Sequence, residues 1–319
     1  ILFLNRRGYA GFVSCRSCGE VMKCPHCDVS LSEHKGGRLI CHYCGYTQPM
    51  PKLCPKCGSK YILGFKAGTQ QIEEKLKELY PGVRTLRMDA DTTRTKDSYE
   101  KILSSFANGE ADVLIGTQMI VKGHDFPKVT LVGILAADLS LNASDYRAGE
   151  RTFQLLTQAV GRAGRGVLPG EAVIQTYQPD HYAITCAAAQ DYESFYQEEI
   201  LYRELSGYPP VAHMLAVQIY GKEEENVKQL ALRLTDVVKS NMDFLSGKQK
   251  EQSNKKIQVL GPAPANISKI NDIYRYVFYV KHAEYDVLVE VKDRLEETLR
   301  QWQPRQMSIQ FDFDPVSVL

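Results

Sequence analysis

A chain of 319 residues with 44% hydrophobic and 24% charged residues and a formal net charge of +1 has the composition of a folded protein with room for two or three domains. The near-neutral balance excludes a uniformly basic nucleic-acid binder, so any such surface must be local. Lys and Arg interrupt the longest apolar runs, which excludes a membrane-spanning helix. The opening Ile1-Leu2-Phe3-Leu4-Asn5-Arg6-Arg7 has the form of neither a signal nor a transit peptide. The expectation is a cytoplasmic protein with no membrane partner, and a chain that opens without Met as part of something longer.

Ile1–Asn5 is a short apolar run suited to a buried parallel strand. Eight of the nine cysteines follow in four C-x-x-C pairs: Cys15/Cys18, Cys24/Cys27, Cys41/Cys44 and Cys54/Cys57. The ninth, Cys186, stands beside Ala187-Ala188-Ala189 and reads as a small buried hydrophobe. A disulfide framework needs an oxidising compartment. Tetrahedral zinc uses C-x-x-C as its half-site, a tight turn aiming two thiolates at one ion. Gly19, Gly45 and Gly58 follow the second cysteine of three pairs, where such a turn wants permissive backbone. Four repeated half-sites therefore predict two structural Zn2+ ions.

Three pairings of the half-sites exist. Five residues separate the first two pairs, a short span for one site, whereas thirteen separate the second and third, a zinc-ribbon span. The spacing assigns Cys24, Cys27, Cys41 and Cys44 to one ion. Cys15, Cys18, Cys54 and Cys57, nested outside, take the other, and a cross-braced arrangement is the rival. His26, His34 and His42 read as knuckle residues, since eight cysteines already complete two sites. Residues 1–60 hold nine Lys and Arg against three Asp and Glu, a formal +6. Two four-thiolate zinc centres reduce that to about +2, a charge that permits nucleic-acid contact without demanding it.

After the cysteines, Thr69–Tyr80 places Ile72, Leu76 and Leu79 on one helical face and stops at Pro81-Gly82. Strands are expected at Val83–Met88, Asp112–Gly116, Val129–Ala137 and Glu171–Tyr177, and helices at Ser98–Phe106 and Arg151–Ala163. This alternation predicts a parallel sheet covered on both faces, with the cysteine region inserted after its first strand. From Asp191 the pattern changes. A helix at Asp191–Leu205 meets Gly207-Tyr208-Pro209-Pro210, followed by a strand (His213–Tyr220), a helix (Glu223–Phe244) and a polar loop (Ser246–Lys256). A strand (Ile257–Leu260) leads into Gly261-Pro262-Ala263-Pro264. A strand (Ile273–Lys281), a helix (Glu284–Arg300) and a strand (Met307–Phe313) complete a βαββαβ order of the ferredoxin-like type. Sixteen Lys and Arg against twenty Asp and Glu from residue 190 on exclude a general phosphate-binding role for this part. Tyr274, Tyr276, Phe278 and Tyr279 read as a packed sheet face before a base-stacking one. Lys269 and Arg275 are candidates to receive an acidic peptide tail. The domain expectation is thus an α/β lobe from residues 1–13 and 61–190, a two-site cysteine insertion at 14–60, and an α/β domain at 191–319.

Two segments are richer in glycine and polar residues than a core element needs. The segment Gly116-Thr117-Gln118-Met119-Ile120-Val121-Lys122-Gly123-His124-Asp125-Phe126-Pro127 follows a buried strand, and so falls at a carboxyl edge where α/β sheets bind ligands. In Gln158-Ala159-Val160-Gly161-Arg162-Ala163-Gly164-Arg165-Gly166 the two arginines are three apart, on one side of a helical turn. They can reach a polyphosphate held by a partner surface, or simply offset a helix dipole.

Together, GTQMIVKGHDFP and QAVGRAGR resemble the fifth and sixth motifs of superfamily 2 helicases. With FLNRRGYA, the four C-x-x-C pairs, AGTQQIEEKL, RMDADTT and LGPAPA…FDFDP, essentially the whole chain resembles the C-terminal part of the PriA family of primosomal replication-restart helicases. The resemblance implies a second RecA-like lobe, an ATP-dependent 3′-to-5′ DNA helicase activity for the whole protein, and nested zinc pairing. It implies that Arg165 with Arg162 serves as arginine finger, with Gln158 in the same motif. It also implies that Gly123 and Asp125 lie near the nucleotide, Asp125 acting through the ribose or by coupling lobes, and that Thr117 and Gln118 contact the DNA backbone. Implied cofactors are Zn2+, ATP and Mg2+. Implied partners are forked and single-stranded DNA, single-stranded-DNA-binding protein and helicase-loading primosome proteins. The chain has no G-x-x-x-x-G-K-[S/T] and no D-E-x-H box, which hold phosphates and magnesium in such motors. Alone it is expected not to hydrolyse ATP. The alternative reading is a non-enzymatic, zinc-bearing module that docks DNA or primosome proteins.

Overall fold

The computed structural model describes residues 1–4, 13–15, 17–18, 20–26, 31–34, 37–41, 46–64, 68–93, 95–121, 126–141, 146–240 and 256–316. The chain begins with β1 (Leu2–Leu4) and leaves for the cysteine region, which builds β2 (Val13–Cys15), β3 (Ser32–His34), β4 (Arg38–Ile40), β5 (Thr47–Pro49) and β6 (Ile62–Gly64). It continues through α1 (Thr69–Leu79), β7 (Thr85–Met88), α2 (Lys96–Ala107), β8 (Val113–Gly116), a 3-10 turn at Gln118–Val121 and β9 (Leu131–Leu135). Then come α3 (Asp138–Leu141), α4 (Ala148–Val160), β10 (Glu171–Ile174), α5 (Tyr182–Ala189) and α6 (Tyr192–Ser206). The last elements are β11 (His213–Gly221), α7 (Glu224–Ser240), β12 (Gln258–Ile270), β13 (Ile273–His282), α8 (Tyr285–Trp302) and β14 (Met307–Phe313). These elements form two compact units, Ile1–Phe12 with Gly64–Glu199, and Val13–Leu63 with Ile200–Leu319.

In the first unit five strands form a parallel sheet in the order β10-β9-β1-β8-β7. Its strands read as near-continuous apolar runs because both faces are covered: Phe3, Leu114, Val132, Ile134, Leu156, Ala159 and Ala187 are all buried in one core. From β1 the chain runs on to β7 at one edge, whereas from β8 it crosses β1 to reach β9. Because β9 runs on to β10 at the opposite edge, the connections diverge between the neighbouring strands β9 and β1, and such sheets take ligands at the carboxyl edge beyond that point. Gly116 closes β8 there because a Cβ would meet the Met88 carbonyl oxygen at 2.5 Å and Ile120 Cγ2 at 2.6 Å.

Local chemistry explains where the observed helices differ from the expected ones. α2 starts at Lys96, ahead of the expected Ser98, because Thr95 caps it: Ser98 N donates to Thr95 Oγ1 at 3.3 Å, and Thr95 N donates to Ser98 Oγ at 3.4 Å. On α1, Ile72 and Leu76 are half-buried but Leu79 stays exposed at the last turn. The short Ala-rich helix α5 lacks the periodicity that announces a helix, yet it packs on α4, with Cys186 half-buried against the core.

In the second unit β12-β13-β11-β14 form an antiparallel sheet. Leu215, Val217 and Ile219 alternate onto one face and pack with Leu230, Leu234, Leu288 and Leu295 of α7 and α8. Tyr276 and Phe278 are buried in that core, with Tyr274 packed against it. Tyr274, Tyr276 and Phe278 accordingly lie on a packed sheet face, whereas Tyr279 alternates to the opposite one. The expected break at Gly261-Pro262-Ala263-Pro264 is instead the middle of a thirteen-residue strand, Gln258–Ile270. β12 is an edge strand paired with β13 alone. Its prolines interrupt no second ladder, and register shifts at Leu260/Ala263 and Pro264/Lys269 absorb them. Among the described residues no helix is long and apolar enough to cross a membrane.

The cysteine region belongs to this second unit. β2 pairs with β6, and β3-β4-β5 form a small antiparallel sheet. Its core is made of Val13, Cys15, Met22, Cys24, Leu31, Leu39, Cys41, Cys54 and Ile62. So few apolar residues make a thin core, and regions of this size usually need a metal or a disulfide to hold them.

Candidate functional site

The cysteine turns are built alike. The amide of the first cysteine donates to the carbonyl five residues on, at 2.8 Å each time: Cys15 to Glu20, Cys41 to Tyr46 and Cys54 to Ser59. Gly58 supplies the left-handed residue after Cys57, with φ of +70°. Pairing of β2 with β6 then sets two turns face to face, and a Ser17 Oγ to Ser59 Oγ hydrogen bond of 2.8 Å ties them.

Cys15, Cys18, Cys54 and Cys57 come together, with all four sulfurs within 4.8 Å of one another. Cys15 Sγ lies 3.6 Å from Cys57 Sγ, and Cys18 Sγ lies 3.6 Å from Cys54 Sγ. Zn–S bonds of about 2.3 Å require tetrahedral S···S edges of about 3.8 Å, so a zinc ion fits this cage with little adjustment. Cys15 and Cys54 are buried and Cys18 and Cys57 are exposed, which leaves the pocket closed to further ligands on its inner side. Burial pushes the Cys15 thiol up, but the amides of Cys18 and Ser17 and the neighbouring thiols hydrogen-bond its sulfur and bring it to about 6. The Glu20 amide pulls the Cys18 thiol down, yet its contacts with Cys57, burial, and its contacts with Cys54 and Cys15 drive it up to about 12. One thiolate forms readily, and full deprotonation of the cage needs a cation.

Of the inner four cysteines, Cys24 and Cys41 are buried in the shared core. Cys27 and Cys44 lie outside the described residues, as do His42 and the side chain of His34. His26 Nδ1 lies 2.7 Å from Asp272 Oδ2. Lys269 lies over Tyr274 and bonds Pro25, and Arg275 lies over Tyr220.

The second constellation sits on the parallel-sheet unit. Thr117 and Gln118 stand at the carboxyl end of β8, where the Thr117 carbonyl accepts from Ile120 N at 3.0 Å to start the 3-10 turn. Gln118 Nε2 is buried and has no hydrogen-bond partner among the described residues. Gly123 and Asp125 lie outside the described residues. Gln158 is exposed on the last turn of α4, Arg162 is half-buried and Arg165 exposed. The expected helix to Ala163 stops at Val160, because Gly161 and Gly164 (φ +70°) let the backbone tighten and reverse. The arginines therefore project from a turn beyond the helix. Arg165 Nε donates to the Gly161 carbonyl at 2.6 Å, which orients its guanidinium.

The two glycine-rich segments meet backbone to backbone. Gly164 N donates to the Val129 carbonyl at 3.0 Å. A Cβ on Gly166 would meet the Pro127 carbonyl oxygen at 2.1 Å, and one on Gly170 would meet Gly164 N at 2.1 Å. These glycines are the residues that sequence reasoning left without a role; their density in GRAGRGVLPG was the signal. Gly166→Ala is expected to destabilise the chain by about 3 kcal/mol, as overpacking against rigid backbone does. Urea unfolding checks this, and an unchanged midpoint would show that the turn is not packed there.

Three domain families match the chain. The primosomal protein N C-terminal domain matches residues 204–316, the PriA DNA helicase Cys-rich region domain residues 24–49, and the helicase conserved C-terminal domain residues 53–167. The chain is 43% identical over 321 residues to the replication restart protein PriA of Bacillus subtilis (strain 168), covering 100% of this chain and 38% of that protein. It is 41% identical over 323 residues to the same-named protein of Synechocystis sp. (strain ATCC 27184 / PCC 6803 / Kazusa), covering 100% and 37%. For Treponema pallidum (strain Nichols) the values are 36% over 320 residues, 100% and 47%. The chain spans less than half the length of these relatives. The PriA Cys-rich region, the helicase C-terminal domain and the primosomal protein N C-terminal domain matched in succession, with relatives named PriA aligned over the whole chain, place this chain in the PriA family, as its C-terminal part.

Proposed function

We propose that the chain supplies the second motor lobe, the zinc module and the C-terminal domain of an ATP-dependent 3′-to-5′ DNA helicase that remodels stalled forks and starts primosome assembly. The observation that carries this reading is the packing of the Arg162–Arg165 turn directly on Pro127–Val129, the end of the glycine-rich segment that leads into the amino end of β9. That packing joins the nucleotide-facing and DNA-facing segments into one piece, as a motor must. Arg165 with Arg162 then neutralises charge on the transferring γ-phosphoryl group of ATP, which another lobe holds with Mg2+. Gln158, Gly123 and Asp125 complete the nucleotide side, and Thr117 and Gln118 grip the DNA backbone.

Cys15, Cys18, Cys54 and Cys57 hold one structural zinc, and Cys24, Cys27, Cys41 and Cys44 hold the second. The sheet order β12-β13-β11-β14 with two helices on one face supports a ferredoxin-like C-terminal domain. Its partners, with the zinc module, are forked and single-stranded DNA, single-stranded-DNA-binding protein and helicase-loading proteins in the cytoplasm. The phosphate- and magnesium-holding motifs are absent from this sequence. The purified chain is therefore expected to show no ATP hydrolysis above background, with or without single-stranded DNA. Turnover by the chain alone in a phosphate-release assay would overturn the assignment of catalysis to two lobes.

A further inference from the structure

Strands β12 and β13 are joined by the two-residue turn Asn271-Asp272, with Ile270 paired to Ile273. Both turn residues are left-handed, with φ of +51° and +58°, the geometry that a tight hairpin demands. The tip touches the cysteine region. Asp272 N donates to the His26 carbonyl at 2.9 Å, and His26 Nδ1 lies 2.7 Å from Asp272 Oδ2. Lys269 Nζ donates to the Pro25 carbonyl at 3.0 Å. Ile270 packs on the apolar cluster that contains Cys24 and Cys41 together with Cys15 and Cys54. On the other side of His26, the Tyr46 ring lies edge-on at 5.3 Å.

Pro25 and His26 are the two residues inside the Cys24-x-x-Cys27 half-site. Their peptide planes set the direction in which the half-site sulfurs point. A contact that fixes both carbonyls therefore holds the backbone that follows Cys24. We propose that the Lys269–Asp272 hairpin tip is an intramolecular docking element for the inner zinc site, with Lys269 and Asp272 as positioning residues. The outer site, Cys15, Cys18, Cys54 and Cys57, has a tie of its own through Ser17 and Ser59, and the hydrogen bonds of Lys269 and Asp272 go to Pro25 and His26 instead. Coupling of this kind is reciprocal: a metal in the inner site strengthens the hold on the hairpin as much as the hairpin strengthens the hold on the metal. The inference rests on reading Cys24 and Cys41 as zinc ligands.

The test uses the full chain carrying Asp272→Gly with Lys269→Met. Glycine keeps the left-handed turn while removing the carboxylate. Zinc content is measured first, then zinc release to a chromogenic chelator and amide exchange over residues 20–26 and 37–41. One of two ions should leave about three- to tenfold faster, as the loss of one partly exposed pair and one backbone contact implies, while the other leaves at the original rate. Asp272→Asn, which retains an acceptor and tolerates positive φ, should restore the slow rate. Release rates that stay unchanged, or that rise equally for both ions, would overturn the proposal. A wild-type chain holding fewer than two zinc ions would refute the zinc reading instead. Exchange at the Cys24 half-site would then decide the docking role by itself: faster in the variant supports it, unchanged sinks it.

Discussion

Replacing Arg165 by alanine in the full-length protein is expected to lower ATP hydrolysis by about 10³ to 10⁵-fold while zinc content and DNA binding stay as they were. The size follows from what an arginine finger does: it brings a fixed positive charge to the γ-phosphoryl group only as charge spreads there in the transition state. Arg165 is suited to this because it is exposed, projects from a turn instead of a helix, and has its Nε already bonded to the Gly161 carbonyl at 2.6 Å. A lysine at this position has no planar fork to hold in that way, so Arg165→Lys should not rescue turnover. Steady-state hydrolysis with saturating single-stranded DNA, together with fluorescence anisotropy for DNA affinity, checks both halves. If hydrolysis stays near the wild-type level, the alternative of a docking module without motor chemistry gains the ground.

Cys54→Ser should release one zinc ion of two and unfold the cysteine region without unfolding the parallel-sheet unit. Structural zinc carries about 10–16 kcal/mol of apparent binding free energy in small zinc-finger peptides near neutral pH, as much as the entire stability of an ordinary domain, about 5–15 kcal/mol. The thin core around Met22, Leu31 and Leu39 cannot replace that. Zinc analysis by mass spectrometry gives the count, and a paired experiment gives the connectivity. Cys15→Ser with Cys54→Ser should lose no more zinc than Cys54→Ser alone, because both belong to the cage whose sulfurs lie within 4.8 Å. Cys24→Ser with Cys54→Ser should lose both ions. Loss of both ions from Cys15→Ser with Cys54→Ser would point to a cross-braced arrangement.

The two sites differ in how they could be read. The turns that begin at Cys15, Cys41 and Cys54 are local: a C-x-x-C spacing, a following glycine such as Gly58, and an amide-to-carbonyl bond reaching five residues ahead. Such features are legible because all their atoms come from neighbouring residues. The strand and helix alternation of residues 69–174 is legible for the same reason, since its periodicity is set by which face each element buries. Where a signal was weak, as with the Ala-rich α5 or the Thr95–Ser98 cap, boundaries moved or an element was missed.

By itself the sequence determined the four half-sites, the parallel α/β character of one part, the βαββαβ order of another, and the two glycine-rich segments with their arginines. For Cys15, Cys18, Cys54 and Cys57 the spacing left a cross-braced arrangement as the rival, and the tertiary structure brings these four together through β2 pairing with β6 across a long stretch of chain. It decided that prolines sit inside β12, because only the edge position spares them a second ladder. It also decided that the Lys269–Asp272 tip meets Pro25 and His26, some 245 residues away. Contacts of that range depend on how whole elements pack, and no local spacing encodes them. The Arg162–Arg165 turn lies between the two cases. Its glycines were visible in the sequence, but their purpose, to let the turn lie directly on the Pro127–Val129 backbone, appears only in the fold.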